Sequence, residues 1–403
     1  MVKYTAEYVW IVSNDIHRDD TQKLPVDNYP DHPVTIDMRS KIKTLDLNKE
    51  PTLKDFPLWN YDGSSTNQAG AENSEVVLKP CSYIEHPLYN EYSYLVLCEL
   101  YVWNTDNLRP HPDNNRRGCF IKNQDDESPP IEPGKPNSVR YESQEQIEGN
   151  VVPWFGFEQE YVLKQRKHDT TDWNNDNIEV VGWPAKGKLR EQGPFYCGIG
   201  ANNVTHRKVA EDHYFACLKA GLTIAGMNAE VMLGQWEYQI GPVEGTAQAS
   251  DQLWLSRFIL IRIAEKHNLI VDFSPKPKHL NKCNGSGLHT NYSTANTRAD
   301  GGIDTIKEYI DHLANKHESH MRLYGSGNRL RMTGTCETSS YEAFNYGAAN
   351  RSASVRIPSE VLINKCGYFE DRRPAANADP YLIASSIVKT TLDIKSEIRN
   401  INI

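Results

Sequence analysis

Glu158 and Glu160, in Trp-Phe-Gly-Phe-Glu-Gln-Glu-Tyr, and Glu230 and Glu237, in Asn-Ala-Glu-Val-Met-Leu-Gly-Gln-Trp-Glu-Tyr, are the residues whose placement most demands chemistry. Each carboxylate stands among aromatic and aliphatic neighbours suited to a core, where a charge is unfavourable unless a metal ion or an arginine meets it. Glu158 and Glu160 are two apart, so on a strand both face one side. Glu230 and Glu237 are symmetric about Leu233 and Gly234. A two-residue hairpin there would set them directly opposite, and like charges so placed repel unless a cation lies between them. His289 follows the Gly-rich run Asn284-Gly285-Ser286-Gly287, whose glycines allow close backbone approach and supply amides for an anion. Glu370 precedes Asp-Arg-Arg. Hard oxygen ligands with one imidazole suit Mg²⁺ or Mn²⁺ better than zinc. Arg331, Arg351, Arg356, Arg372 and Arg373 crowd the last third, and arginine grips carboxylate and phosphate bidentately. Singly, these features read as solvated faces, ordinary ion pairs or a polar core histidine. Together, acids for metals and arginines for anions are the constellation of phosphoryl transfer.

The elements that must position these groups follow from patterning. Residues 4–12, 35–46 and Tyr94–Trp103 read as strands of a small, mostly β opening segment, with a long polar loop over 13–35. A polar stretch over 104–150, with an exposed excursion around Gln124–Pro136, marks a boundary, giving units 1–104 and 105–403. Thr205–Ala220, Ser250–His267 and Ile303–His320 carry helical periodicity. Asp379–Arg399 reads as a terminal helix with Asp379 as N-cap and Pro380 in the first turn. The class is α+β with a large antiparallel component.

Composition narrows the partners. In 403 residues, 38% hydrophobic and 24% charged, 44 basic against 53 acidic side chains leave a formal charge of −9. That fits a globular protein and disfavours nucleic acid or an anionic membrane surface as partner. No apolar run is long enough to span a bilayer. The first residues read as a strand rather than a leader. The eight cysteines form no Cys-x-x-Cys pair, as expected of reduced thiols in a cytoplasmic protein.

At these residues the chain resembles the glutamine synthetase family, in its shorter-subunit eukaryotic (type II) form. Seven motifs fall in order between about Tyr8 and Leu392: Trp59–Thr66 (Trp-Asn-Tyr-Asp-Gly-Ser-Ser-Thr), the Glu158/Glu160 strand, the Glu230/Glu237 segment, the Asn284–His289 turn, Glu337-Thr338-Ser339, Asn350–Pro358 and Lys365–Pro374. The resemblance implies a small N-terminal β-grasp domain followed by a catalytic domain with a curved antiparallel β-sheet flanked by helices. It implies self-association into rings, two stacked pentamers, with active sites between adjacent subunits. The implied reaction joins ammonium to L-glutamate, with ATP as co-substrate and two or more Mg²⁺ or Mn²⁺ ions per site, through γ-glutamyl phosphate.

Matched motif by motif, Glu160, Glu230 and Glu237 would hold the metal near glutamate. Glu158, His289 and Glu370 would hold the one at the ATP phosphates. Arg331 would take the substrate α-carboxylate, with Asn284 and Gly285 seating the amino acid. Arg351 and Arg372 would stabilise the transferring phosphoryl group. Arg356, Lys365 and Trp154 would meet ATP. Asp62, Ser65 and Tyr196 resemble an ammonium pocket, with Asp62 as proton acceptor, and Glu337 would sit on a flap shielding the intermediate. The chain departs from the family at Lys278–Cys283, where a Trp-Asn-Gly turn is usual, and at Leu330, where a second arginine is common. A catalytically silent relative, or a ligase using another amine, are the competing readings. Intact acidic and imidazole positions speak against the first, and the Asp62/Glu337 pair against the second.

Overall fold

The computed structural model describes residues 2–12, 37–104, 107–111, 114, 116, 151–166, 178–183, 193–277 and 284–392. The expected loop over 13–35, the excursion at Gln124–Pro136, the Lys278–Cys283 segment and the end of the terminal helix lie outside the described residues.

Two sheets carry the architecture. The first runs in the order β2-β1-β5-β4-β3, with β6 on β5. These strands are β1 (Val2–Val12), β2 (Asp37–Leu47), β3 (Trp59–Asp62), β4 (Glu75–Glu85), β5 (Ser93–Asn104) and β6 (Asn107–Pro110). Only the β1–β5 pair is parallel. Strand β1 is buried on both faces, because its two residue sets meet different cores. Tyr4, Ala6, Tyr8, Trp10 and Val12 pack with Val76, Leu78 and Val96 in a core of this sheet's own. Val9, with Leu95 and Leu97, faces the main core of the rest of the chain. Ion pairs reinforce that contact: Arg262 Nη1 donates to the buried Glu7 at 2.8 Å, and Arg116 Nε to Asp251 at 2.8 Å.

The second sheet has nine strands among the described residues. They are β7 (Trp154–Arg166), β8 (Ile178–Val180), β9 (Ile224–Ala229), β10 (Gln235–Glu244), β11 (Ile270–Asp272), β12 (Leu288–Ser293), β13 (Tyr346–Ala348), β14 (Val355–Ile357) and β15 (Phe369–Asp371). The order is β13-β14-β15-β12-β7-β10-β9, with β8 and β11 also on β7. Every pair is antiparallel except β13–β14.

Four long helices accompany it: α1 (Arg207–Lys219), α2 (Thr246–Lys266), α3 (Ile303–Asn315) and α4 (Pro380–Thr391). Helix α4 starts as its sequence implies, with Asp379 accepting from the Tyr381 amide and Pro380 at the first position, where a missing N–H costs nothing. Helix α3 stops at Asn315 rather than running to His320. A separate short turn, His317–Met321, instead carries His320 inward, where its ring meets Tyr324 and Thr390 at 2.8 Å each. The α+β class therefore stands.

Candidate active site

Strand β7 presents alternate residues to opposite faces, and this alternation makes the site. Phe155, Phe157 and Tyr161 join the main core. Gln159 faces the same way, and the fully buried Arg257 of α2 donates to it at 2.8 Å and to the carbonyls of Ala376 and Ala378 at 3.0 Å. Anchored from behind, β7 turns Glu158 and Glu160 into a cleft of about 270 Å³. Neighbouring strands bring the rest by register. Glu237 on β10 pairs with Glu160, His289 on β12 with Glu158, and Arg356 on β14 with Glu370 on β15.

The expected hairpin symmetry of Glu230 and Glu237 does not form. Glu237 stands opposite Asn228, not Glu230. The turn is longer than two residues: the Glu230 amide donates to the Gln235 carbonyl, and the Gln235 amide to that of Met232. Met232 is buried, and Gly234, at φ +86°, lies so close to Val181 that a Cβ would sit 2.9 Å from its carbonyl. Packing on β8 thus displaces the turn centre. Across the ladder Glu237 stands opposite Glu160, yet the Glu230 and Glu237 carboxyls still meet through a side-chain hydrogen bond.

Burial pushes the Glu160 carboxyl up to about 8, aided by the charge of Glu230. It raises Glu237 well above its ordinary range, with Glu158, Glu160 and Glu230 adding to the effect. Glu230 is raised by burial as well. A cation among three carboxyls so raised would relieve both the burial and the mutual repulsion.

The second set is tighter. His289 Nδ1 lies 3.5 Å from Glu158 and 3.5 Å from Glu370. Among the described residues, Glu158, His289 and Glu370 bring three ligand atoms within 4.8 Å of one another. Burial, then the charge of Arg372, holds the His289 pKa well below the usual imidazole value, so the ring is neutral and able to ligate. Glu370 is fully buried, accepting from Arg372 Nη1 at 2.7 Å and ion-paired to Arg356. Two carboxylates and a neutral imidazole fit a hard divalent cation.

Arg331 crosses beneath this set. It is buried, donates to the carbonyls of Arg372 at 2.9 Å and Arg373 at 3.2 Å, and lies 3.2 Å from His289 Nε2. Its stem explains the glycines at 285 and 287. A Cβ on Gly285 would sit 2.5 Å from Arg331 Cγ, and one on Gly287 2.5 Å from Arg331 Nη2 and 2.9 Å from His289 Nε2. Those glycines make room for an arginine as well as for a ligand.

A family model described as the glutamine synthetase catalytic domain matches residues 137–400. A glutamine synthetase nodule isozyme of Medicago sativa is 40% identical over 390 residues, 97% of this chain and 94% of its own length. A glutamine synthetase of Schizosaccharomyces pombe is 43% identical over 359 residues, 88% of this chain and 89% of its own. A protein named glutamine synthetase cytosolic isozyme 1-3, from Arabidopsis thaliana, is 40% identical over 97% of this chain and 95% of its own length. The chain belongs to the glutamine synthetase family.

The other residues carried over from the glutamine synthetase motifs divide into two groups. Asn284, Gly285, Tyr196, Glu337, Arg351, Arg356 and Arg372 line the cleft with Glu158, Glu160, Glu230, Glu237 and His289, whereas the fully buried Glu370 does not line it. Arg351 lies 3.6 Å from Glu337 and over the Tyr196 ring at 6.0 Å. Asp62, Ser65, Trp154 and Lys365 do not line it. Asp62 is exposed and caps a short turn, accepting from Ser64 and, at 2.9 Å, from Ser65 Oγ. Trp154, at the start of β7, donates to Glu244 and lies beneath Arg298 at 4.1 Å. Lys365 ends the short helix Ser359–Asn364 at φ 58°.

Sequence reading missed four amides. Asn291 donates to Glu158 at 2.8 Å, Gln235 to Glu160 at 3.1 Å, Asn228 to Glu230 at 3.0 Å, and Gln239 to Glu237. Two-residue spacing could have found two of them: Gln239 follows Glu237, and Asn291 follows His289, on one strand face.

Proposed function

We propose that this cleft joins ammonia to the γ-carboxylate of L-glutamate, coupled to ATP cleavage, as a glutamate–ammonia ligase. The observation that carries the reading is the meeting of five glutamates, one neutral histidine and four arginines in a single cleft. The γ-carboxylate oxygen attacks the γ-phosphorus of ATP and ADP leaves; ammonia then attacks the acyl carbon of γ-glutamyl phosphate and phosphate leaves. Phosphorylation is needed because a carboxylate oxygen is a poor leaving group.

Divalent ions, Mg²⁺ or Mn²⁺, would be held by Glu160, Glu230 and Glu237 on the glutamate side and by Glu158, His289 and Glu370 on the phosphate side, dispersing phosphate charge when bound. Arg331, already fixed by backbone carbonyls, is suited to the substrate α-carboxylate beside Asn284 and Gly285. Arg351 and Arg372 would stabilise the transferring phosphoryl group, and Arg356 would meet the nucleotide. Trp154 and Lys365 are assigned to the nucleotide end. Glu337, on the turn bridged by Thr333 and Ser340, is suited to keep water from the acyl phosphate.

Asp62 and Ser65 would deprotonate and hold ammonium in the site of an adjacent subunit, with Tyr196 on the facing wall. This reading requires rings of subunits, two stacked pentamers by family resemblance. Exposed apolar side chains at Tyr92, Trp103, Ile199 and Phe215 support buried contacts between copies. The first sheet is read as the β-grasp unit, 1–104, and the remainder, 105–403, as the catalytic unit. Relatives named as cytosolic isozymes support a cytoplasmic setting. No helix among the described residues is long and apolar enough to cross a membrane.

The test is a glutamine-formation assay with ATP, L-glutamate and Mg²⁺ or Mn²⁺, run with ammonium and with methylamine. Glutamine forms with ammonium. Product with methylamine alone, or no product with either, overturns the reading.

A further inference from the structure

We infer that Gln235, which the reaction chemistry does not use, is a positioning residue for the glutamate-side metal. It belongs to a shell of neutral amides that aim the acids without cancelling their charge. The inference rests on the two-metal reading above.

Gln235 is buried, 1% exposed, and does not line the cleft. Its Nε2 reaches Glu160 Oε2 at 3.1 Å, the Gly285 carbonyl at 3.1 Å and Ser286 Oγ at 3.3 Å. Its Oε1 is buried without a hydrogen-bond partner among the described residues. Leaving a buried carbonyl unpaired is unfavourable. The reverse amide orientation would be worse, because it would set Oε1 against a carboxylate and a carbonyl, both acceptors. The side chain is therefore placed for its donor. Glu160 Oε2 also accepts from the Gly287 amide at 3.1 Å, so one oxygen is fixed from behind. The other, Oε1, is the one that approaches His289, at 3.7 Å.

Side-chain amides also meet three other glutamates of the cleft. Glu230 Oε1 takes Asn228, its Oε2 taking the Val231 backbone amide, and Glu237 Oε1 takes Gln239. On the phosphate side, Glu158 Oε1 takes Asn291. Glu370, by contrast, is held by guanidinium groups, from Arg372 and Arg356. A lysine or arginine behind Glu160 would orient it equally well but neutralise the charge that attracts the ion; an amide orients it and leaves the charge. Gln235 further ties Glu160 to the Gly285 carbonyl, so the metal ligand and the glutamate-seating turn share one anchor.

The experiment is Mn²⁺ titration of the full-length protein, with free ion read by electron paramagnetic resonance and no substrate present. The parent, Gln235→Met, Gln239→Met and Asn291→Leu are compared, each accepted only if its circular dichroism matches the parent. Gln239 and Asn291 are half-buried and keep the test decidable if Gln235→Met does not fold. The parent binds two ions. Gln235→Met and Gln239→Met weaken one class by about 10–100-fold, and Asn291→Leu weakens the other. A merely structural role would weaken both classes together. Two native-affinity classes in all variants, or equal weakening of both, overturn the amide shell while leaving the metal reading intact. A parent that binds no ion overturns the metal reading and the inference with it.

Discussion

Glu160 and Glu237 face one another directly across the β7–β10 pair, two carboxylates on one face of an antiparallel ladder. Such opposition destabilises a sheet unless a proton or a cation relieves it. Without metal, burial and Glu230 hold the Glu160 pKa at about 8, far above the ordinary 4.5. The native state then keeps a proton that the unfolded chain releases.

From this the metal-free protein is expected to lose stability as pH rises from about 4.5 toward 8. The contribution is fully present below the unfolded pKa and falls by up to about 1.4 kcal/mol per pH unit. Saturating Mn²⁺, at about 100 times its dissociation constant, adds about 2.7 kcal/mol and flattens the slope, because the bound ion keeps the carboxylate ionised in the folded state as it is in the unfolded one. Thermal unfolding from pH 6 to 8.5, with and without Mn²⁺, checks both the fall and its removal; identical slopes would exclude the linkage.

Gly287→Ala should damage glutamate binding more than ATP binding. The new methyl group would press on Arg331 Nη2 and His289 Nε2 together. Overpacking of this kind costs about 1–3 kcal/mol, so KM for glutamate should rise by about tenfold or more. Steady-state kinetics with each substrate varied in turn decide it, and an unchanged glutamate KM would count against the role of Arg331.

Glu337 and Cys336 both hold positive φ, 61° and 53°, on the turn over the cleft. Paired strain of about 1–3 kcal/mol per residue marks a segment kept for its shape. Glu337→Ala should still bind ATP yet release more phosphate than glutamine, since water reaches the acyl phosphate. Tight coupling of the two products in that variant would sink the flap role.

Asp62 is exposed and lies outside the cleft, whereas the buried Arg331 lines it. If a neighbouring copy supplies Asp62, then Asp62→Ala and Arg331→Ala, each inactive alone, should regain part of the activity when dissociated, mixed and reassembled. Some sites then draw both functional residues from different chains. Mixtures as inactive as their parents would place Asp62 outside the site.

Much of this was legible in the chain. Two-residue spacing put Glu158 and Glu160 on one face, because strand alternation is local and obligatory. Asp379 and Pro380 announced the start of α4 for the same reason, since a cap is decided by adjacent residues. Residue types at Glu158, Glu160, Glu230, Glu237, His289 and Glu370 pointed to hard-cation chemistry, since that expectation depends on donor atoms rather than on fold.

What the sequence could not decide was which acid faces which. Register between β9 and β10 depends on Met232 entering a pocket and Gly234 pressing on Val181, contacts about fifty residues apart in the chain. They lengthen the turn, move Asn228 opposite Glu237, and leave Glu160 as its like-charged partner. The glycines before His289 likewise took their meaning from Arg331, which only folding brings across them. The sequence by itself determined the chemical inventory and the local periods. The tertiary structure decided the pairings, because strand register and side-chain approach are set by non-local packing that no window of neighbouring residues contains.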